Sequence, residues 1–170
     1  HRDLHSFPTR RSSDLPGFLP GVEQEHNGII RHGAKLIYAY ASATVPKITL
    51  IIRKAFCGAY VVMGSKELGN DFNFSWPNSQ IAVLGAKGAI AILHRTELAN
   101  ALPENKEALV QKLETDYEQE FMNPVTAAEN GYIDAIIEPI KTRFHLIRAL
   151  EILRNKVEQT PKKKHGNIPL

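Results

Sequence analysis

The feature that most constrains the fold is an apolar stretch that runs directly into two small residues, in IIRKAFCGAYVVMGSK at positions 51–66. Its first part is rich in β-branched residues and follows a proline, which predicts a short buried strand. Gly58 and Ala59 then open a segment with helical character. A buried strand that turns at once into a helix is typical of layered α/β domains.

The same turn carries the chemistry that the residues alone suggest. The first N–H groups of a helix lack acceptors within the helix, and the helix dipole places partial positive charge there. Gly58 admits unusual dihedral angles, and neither Gly58 nor Ala59 has a side chain that would block a ligand. These amides are therefore candidate donors to an oxygen that gains negative charge during a reaction. The pattern is equally compatible with small residues that only allow close packing.

The rest of the chain alternates between predicted strands and helices. The loop PGFLPG at 16–21 precedes them, Pro103 is placed at the first position of a long helix, and Thr142 is the candidate N-cap of the last helix. Strands are predicted at 45–54, 71–77, 79–85 and 132–139, and helices at 27–42, 59–69 (closed by Gly69), 86–102, 103–123, 123–131 and 142–159. This order predicts one α/β domain without internal repeats.

Composition narrows the class of protein. With 43% hydrophobic and 23% charged residues, the chain is typical of a globular protein, and its 170 residues suffice for one core. A single cysteine argues against a disulfide framework and favours the cytoplasm, and no apolar run is long enough to span a membrane. Seven histidines show no metal-binding spacing, so no metal is expected; His32 and His145 are interpreted as packing or polar-face residues.

The two ends of the chain are interpreted separately from its centre. The net charge of +3 owes part of its excess to Lys162, Lys163 and Lys164, which form either a solvated tail or a contact to phosphate groups. Residues 1–15, HRDLHSFPTRRSSDL, lack a usable apolar period, and from His5 onward HSFPTRRSSDL resembles one reading frame of a sequencing adapter. We therefore expect 1–15 to be an artefact outside the fold, and 16–170 to be a fragment of a longer chain.

Long segments of the chain resemble one enzyme family. The continuous stretch PGFLPGVEQEHNGIIRHGAKLIYAYASATVPKITLIIRKAFCGAYVVMGSKELGNDFNFSWPNSQIAVLGAKGA is similar to the C-terminal half of biotin-dependent acyl-CoA carboxyltransferases. NPVTAAENGYIDAIIEP, TRFHLIRALEIL and KKKHGNIPL continue the match to residue 170. The β subunits of propionyl-CoA and acyl-CoA carboxylases are the members that the chain resembles most.

This resemblance implies a fold and a reaction. The family fold is crotonase-like, a spiral of ββα units, and each half of the subunit forms one such domain. By implication, residues 16–170 are the C-terminal carboxyltransferase domain, and the N-terminal domain is missing. The implied reaction moves a carboxyl group from carboxybiotin to the α-carbon of a short acyl-CoA, either propionyl-CoA or acetyl-CoA. It needs no side-chain nucleophile, because backbone donors stabilise charge on two carbonyl oxygens. The implied cofactor is biotin carried on a partner, without a metal in this domain.

The resemblance also assigns roles to individual residues. Gly58 and Ala59 match the pair whose backbone N–H groups face the ureido oxygen of carboxybiotin. The implied substrate-binding residues are Phe56, Cys57, Val61, Gly85 and Ala86. Many relatives have glycine in place of Cys57, whose side chain either narrows the biotin pocket or is buried and inert. Relatives that prefer short acyl chains often have Asp in place of Val61. Trp76 is interpreted as a core anchor and Asp134 as a structural hydrogen-bonding residue.

The implied partners are acyl-CoA, a biotin carboxyl carrier or biotin carboxylase subunit, and further copies of the subunit in a hexamer, with no nucleic acid and no membrane. Two other functions remain open. One is the carboxyltransferase subunit of a sodium-pumping decarboxylase, and the other is a non-catalytic binding or assembly fragment. We expect no turnover by this polypeptide alone, and malonyl- or methylmalonyl-CoA formation with free biotin would refute that expectation.

Overall fold

Strands and helices alternate along the chain in the computed structural model, which describes residues 9–159. Three single 3₁₀ turns lie at Lys66–Leu68, Pro139–Lys141 and Leu153–Asn155. The remaining elements are β1 (Thr9–Leu15), α1 (Val22–His26), α2 (Ile29–Ser42), β2 (Lys47–Phe56), α3 (Cys57–Val62), β3 (Phe72–Ser75), β4 (Gln80–Ala82), α4 (Ala86–Leu93), α5 (Arg95–Asn100), α6 (Pro103–Phe121), α7 (Pro124–Glu129), β5 (Ala135–Ile136) and α8 (Thr142–Ile152). This order confirms the predicted α/β class.

Strand β2 is the centre of a parallel sheet. It pairs with β1 along one edge, and along its other edge with β3 and then with β4. The first half of β2 pairs with β3, from Ile48 opposite Phe72, and its end pairs with β4, up to Phe56 opposite Ala82. Strand β5 extends the sheet beyond β3. Parallel neighbours need long crossover connections, and helices supply most of them here.

The two faces of β2 pack against different helices. Successive side chains in a strand point to opposite faces, so residues two apart share a face. Ile48 and Leu50 contribute to a cluster that reaches α8 through Ala149. Ile51 and Ala55 lie in a separate cluster with side chains from α3, β4 and α7, namely Tyr60, Ile81 and Ala127. The strand is therefore covered on both faces, as its continuous apolar run predicts.

The expectation that residues 1–15 lie outside the fold is wrong for Thr9–Leu15. This segment forms β1, in parallel register with β2 from Thr9 opposite Lys47. Pairing in a sheet uses backbone groups, so an edge strand can form without the apolar period that we required. Asp14 adds side-chain contacts, because its carboxylate accepts hydrogen bonds from the Arg53 guanidinium and from the backbone N–H of Lys54. The adapter-like origin of the segment stays a prediction.

Several predicted helices differ from the observed ones at turns. The helix expected at 59–69 ends at Val62, and Gly69 instead closes the following 3₁₀ turn with a φ of 73°. The helix expected at 86–102 is divided into α4 and α5 at His94, and α1 was not predicted at all. The long helix begins at Pro103, as expected. Helical period alone could not locate the residues at which a helix stops.

The predicted N-cap of the last helix is also wrong. Lys141 occupies the N-cap position, and no side chain of the described residues caps α8. The hydroxyl of Thr142 instead accepts a hydrogen bond of 3.0 Å from Trp76 Nε1. Trp76 packs against the cluster around Phe74, which confirms its predicted role in the core. The bond to Thr142 joins this tryptophan to the start of α8.

None of the helices within residues 9–159 combines the length and the apolar character that crossing a membrane requires. Lys162, Lys163 and Lys164 lie outside the described residues, so their predicted alternatives stay open.

Candidate functional site

The predicted site is a turn between the sheet and a short helix. Phe56, the last residue of β2, has extended backbone angles, and α3 begins at the next residue. No side chain of the described residues caps this helix, so its first N–H groups are not covered by a capping oxygen. The turn thus has the small residues and uncapped helix start that the proposed amide donors require.

The unusual backbone conformation falls one residue earlier than we expected. We assigned it to Gly58, but Cys57 adopts a φ of 53°, whereas Gly58 has no positive φ. A side chain in this left-handed region costs roughly 1–2 kcal/mol, because its Cβ crowds the following carbonyl oxygen. The strained position is therefore Cys57, where glycine would relieve the strain. The turn needs that conformation to join an extended strand to a helix within one residue.

A cavity of about 490 Å³ lies against this turn. Its volume is within the range of about 300–1,000 Å³ that is common for small-ligand sites. Apolar and aromatic side chains make up most of its wall, and Glu67, Thr126 and Asn130 add polar groups. The other lining residues are Cys57, Gly58, Tyr60, Val61, Ile81, Ala82, Val83, Tyr117, Phe121, Ala127 and Tyr132.

Three predicted site residues line this cavity: Cys57, Gly58 and Val61. Cys57 is exposed, so the interpretation of a buried, inert cysteine is wrong. The side chain of Ala59 is buried behind the turn, with 5% of the residue accessible. The hypothesis that the Ala59 N–H also donates to a ligand stays a prediction.

The other three predicted residues border a second, more polar cleft of about 320 Å³. Phe56 lies at its base, and a Cβ added to Gly85 would come within 3.7 Å of the Phe56 ring. Gly85 is the N-cap of α4, and Ala86 is its first residue. Lys54, Gln80, Lys87, Gly88, Glu114, Glu118 and Met122 complete the wall. The structure therefore divides the predicted residues between two cavities, because Phe56 and Cys57 face different sides of the turn.

A buried polar pair supports the helix behind the cavity. Asn73, on β3, is fully buried and donates a hydrogen bond of 2.9 Å from Nδ2 to the hydroxyl oxygen of Tyr60. The same Nδ2 donates to the carbonyl of Gly64. Burial raises the pKa of Tyr60 to about 12, so the phenol is neutral at physiological pH. Tyr60 therefore contributes a neutral, fixed wall and no general base.

Asp134 has the structural role that its sequence context suggested. Its carboxylate accepts hydrogen bonds from the Asn73 backbone N–H at 2.7 Å and from Lys66 Nζ at 2.8 Å. Its own backbone N–H donates to the Asn73 carbonyl. These contacts fix β3 next to the start of β5, and they leave Asp134 outside both cavities.

The two histidines that we interpreted as packing or polar-face residues fit that interpretation. His32 is exposed on α2, and the ring of His145 lies against Phe74 and Phe144, with centroid separations of 5.8 and 5.5 Å. Among the described residues, no group of three potential metal ligands comes together.

Sequence reasoning missed the aromatic wall of the main cavity. Tyr117 and Phe121 lie one turn apart on α6, and their ring centroids are 5.2 Å apart. Tyr132, which follows α7, adds a third ring. The spacing of four between Tyr117 and Phe121 was a usable signal, because residues four apart share a helix face. Which cavity that face borders depends on tertiary packing.

The structure is a parallel α/β domain with an apolar cavity at an uncapped strand–helix turn, an arrangement suited to an enzyme domain. Comparison with known proteins identifies the family. The model of the carboxyl transferase domain family matches residues 12–168, and this chain belongs to that family. It is 56% identical over 170 residues to the propionyl-CoA carboxylase beta chain of Saccharopolyspora erythraea, covering 99% of this chain and 31% of the relative. It is 54% identical over 168 residues to the propionyl-CoA carboxylase carboxyltransferase subunit of Haloferax mediterranei, covering 99% and 32%.

Solved structures give the same result. A transcarboxylase 12S structure, described as a hexamer with methylmalonyl-coenzyme A bound, superposes with a TM-score of 0.90 at 44% identity, covering 97% of this chain and 31% of that one. The geranyl-CoA carboxylase beta subunit of P. aeruginosa superposes with a TM-score of 0.77 at 28% identity, covering 96% and 31%. These likenesses confirm the predicted crotonase-like fold. The chain spans about one third of the length of these relatives.

Proposed function

We propose that this chain is the carboxybiotin-side domain of a carboxyltransferase that moves a carboxyl group from carboxybiotin to the α-carbon of a short acyl-CoA. The observation that carries the proposal is the position of Gly58, at an uncapped helix start on the wall of an apolar cavity. Family membership supports the reaction class. The chain covers about one third of the length of its relatives, and we propose that a second domain supplies the acyl-CoA site.

The residues present fit a biotin ring. The cavity offers apolar and aromatic walls to a bicyclic ring, and backbone N–H groups at the turn to a carbonyl oxygen. When bound, carboxybiotin supplies the carboxyl group and a ring nitrogen that can accept a proton. The Gly58 N–H would donate to the ureido oxygen, and the apolar wall would strengthen that bond by lowering the local dielectric constant. The Tyr60 phenol is uncharged at neutral pH, so it forms part of the cavity wall and does not change its charge there.

Val61 bears on the choice of acyl chain. It lines the cavity one helical turn from Cys57, and the resemblance links its position to acyl-chain length, so we propose that the acyl group of a substrate held mainly by the second domain reaches this part of the cavity. An apolar side chain there favours apolar contact over a hydrogen bond to the substrate. We therefore propose a short acyl-CoA as substrate without a strict choice between the acetyl and propionyl groups, which competition between the two substrates would test.

The exposed face of α2 supports assembly with other copies of the subunit. Gly33 is the buried residue of this helix, whereas Ile30 and Leu36 are exposed by 68% and 41%. We propose that the N-terminal domain of a neighbouring subunit covers this face. Replacing Ile30 by Asp in the full-length subunit should lower its mass in sedimentation, and an unchanged mass would contradict the proposal.

The test of the function uses Gly58 in the full-length subunit. Gly58→Pro removes the N–H donor and restrains the turn, so carboxyl transfer should fall by about 10²–10³. Gly58→Ala is the matched control, since it keeps the N–H, and its new Cβ would lie 3.6 Å from the Phe18 ring, an ordinary contact. Transfer from methylmalonyl-CoA to free biotin measures both variants. Near-normal transfer by a folded Gly58→Pro variant would refute the amide's role.

A further inference from the structure

The ring of Phe18 lies over two glycines, one on α2 and one at the candidate turn. A Cβ added to Gly33 would come within 3.1 Å of Phe18 Cζ, and a Cβ added to Gly58 would come within 3.6 Å of Phe18 Cε2. Phe18 belongs to the loop at 16–21, where Gly17 has a φ of 128° that favours glycine. The ring thus bridges α2 and the strand–helix turn, although neither element shares its loop.

The two contacts differ in how tightly they hold the ring. The Gly33 contact leaves no room for a methyl group unless the ring moves by a few tenths of an ångström. Gly33 is the buried residue of α2, so the ring covers the one place where this helix lacks a side chain. The Gly58 contact is an ordinary one. Phe18 is therefore fixed against α2 and reaches from there to the turn.

The ring of Phe18 is only partly buried. Phe18 remains 43% exposed, in contrast to the core phenylalanine Phe74, which is 6% exposed. A hydrophobic side chain that packed only for stability would gain more from full burial. The contacts that the ring does make are to Gly33 and to Gly58, the residue whose N–H is the proposed donor.

We propose that Phe18 is a positioning residue for carboxyl transfer: from the side of α2, its ring holds the turn that carries Gly58. This inference rests on the function proposed above. It predicts that the loss of the ring weakens productive binding of biotin and loosens the turn, while binding of acyl-CoA is unchanged.

The first readout is the reactivity of Cys57, which does not depend on activity. Cys57 is exposed and adjacent to Gly58, so Ellman's reagent can report the mobility of the turn. Phe18→Ala should increase the labelling rate of Cys57 about tenfold, which corresponds to about 1.4 kcal/mol of lost restraint on the turn. Gly33→Ala places a methyl group against the Phe18 ring, and it should also increase the labelling rate of Cys57. Mass spectrometry of the peptide containing Cys57 assigns the label in the full-length subunit.

The second readout separates positioning from general destabilisation. In transfer from methylmalonyl-CoA to free biotin, Phe18→Ala should raise the KM for biotin about tenfold and leave the KM for methylmalonyl-CoA unchanged. Phe18→Leu should restore part of the loss, and Leu19→Ala is the matched control, because Leu19 is a 66% exposed neighbour in the same loop.

An unchanged labelling rate in both Phe18→Ala and Gly33→Ala would overturn the proposal, as would an equal rise of both KM values. If the parent subunit shows no transfer, the proposed function fails, and the labelling rates alone decide whether Phe18 holds the turn.

Discussion

At the residue scale, Cys57 carries the backbone strain that the geometry of the turn requires. Among residues 9–159, Cys57 is the non-glycine residue with a left-handed backbone conformation, and it lies at the junction of β2 and α3. The turn requires this conformation whatever the side chain, so the conformational energy of the folded state is raised when a cysteine occupies the position. Such strain is common where a backbone must face a ligand.

Replacing Cys57 by Gly should therefore stabilise the domain. Glycine adopts a φ of 53° without crowding, so the free energy of unfolding should rise by about 1 kcal/mol after the greater entropy of the unfolded glycine chain is subtracted. Urea unfolding of the two proteins measures the difference. Cys57→Ser keeps the Cβ and is the control, and an equal gain in Cys57→Ser would show that strain is not the cause.

At the scale of elements, a buried tyrosine links α3 to the sheet. Tyr60 receives a hydrogen bond from Asn73 on β3, and burial raises its pKa from the ordinary 10.0 to about 12. A raised pKa means that the folded state holds its proton more strongly than the unfolded state does. The stabilisation is complete below pH 10 and is lost as the pH rises from about 10 to about 12.

This link predicts a specific alkaline instability. Between pH 10 and 12 the unfolding free energy should fall by roughly 2–3 kcal/mol because of Tyr60, at 1.36 kcal/mol for each unit of pKa shift. Tyr60→Phe should be less stable at pH 8, since Asn73 Nδ2 loses one acceptor, yet it should lose less stability above pH 10. Guanidinium unfolding at a series of pH values measures both slopes. Parallel slopes would contradict the assignment.

The sequence predicted the elements of this domain better than their ends. The continuous apolar run of β2 and the proline at the start of α6 are local signals, and both elements were predicted. The break at His94 lies where α4 and α5 both pack against α6, and the end at Val62 lies just before Gly64, whose φ is 102°. The pairing of β1 depends on backbone groups, which leave no pattern in the side chains.

The candidate site was predictable where its residues are neighbours in the sequence, and not where they come from distant segments. The residues of the turn could be found by their small size and by resemblance, because they follow one another in the chain. The wall formed by Tyr117, Phe121 and Tyr132 comes from later helices, and the Phe18 contact comes from an earlier loop. Such contacts arise only when distant segments pack together, so local patterns could not reveal them.

At the scale of the whole molecule, an ion pair ties the end of the described chain to the start of the sheet. Lys156 Nζ lies 3.0 Å from the Asp71 carboxylate, and their side chains are only 13% and 16% exposed. The same carboxylate accepts a hydrogen bond of 2.7 Å from the backbone N–H of Lys47, the first residue of β2. Burial lowers the pKa of Lys156, but its bonds to Glu158 and Asp71 outweigh that effect and raise the pKa overall.

Lys156→Met should loosen the last helix relative to the sheet. Removing the ammonium leaves a largely buried carboxylate with fewer partners, which should cost about 1–3 kcal/mol of unfolding free energy. Hydrogen exchange in α8 should become faster. Arg148→Met is the control, because the Arg148–Glu151 pair is 62% and 56% exposed and should contribute little. Equal exchange in the two variants would contradict a special role for Lys156.

The central position of β2 also determines where this polypeptide can be divided. Because β2 bonds to three other strands and supplies side chains to both of the larger apolar clusters, a break within it would leave two halves that cannot refold separately. The junction after α5, at Ala101 and Leu102, interrupts no strand. Split reporters, circular permutants and inserted tags should therefore be placed at that junction.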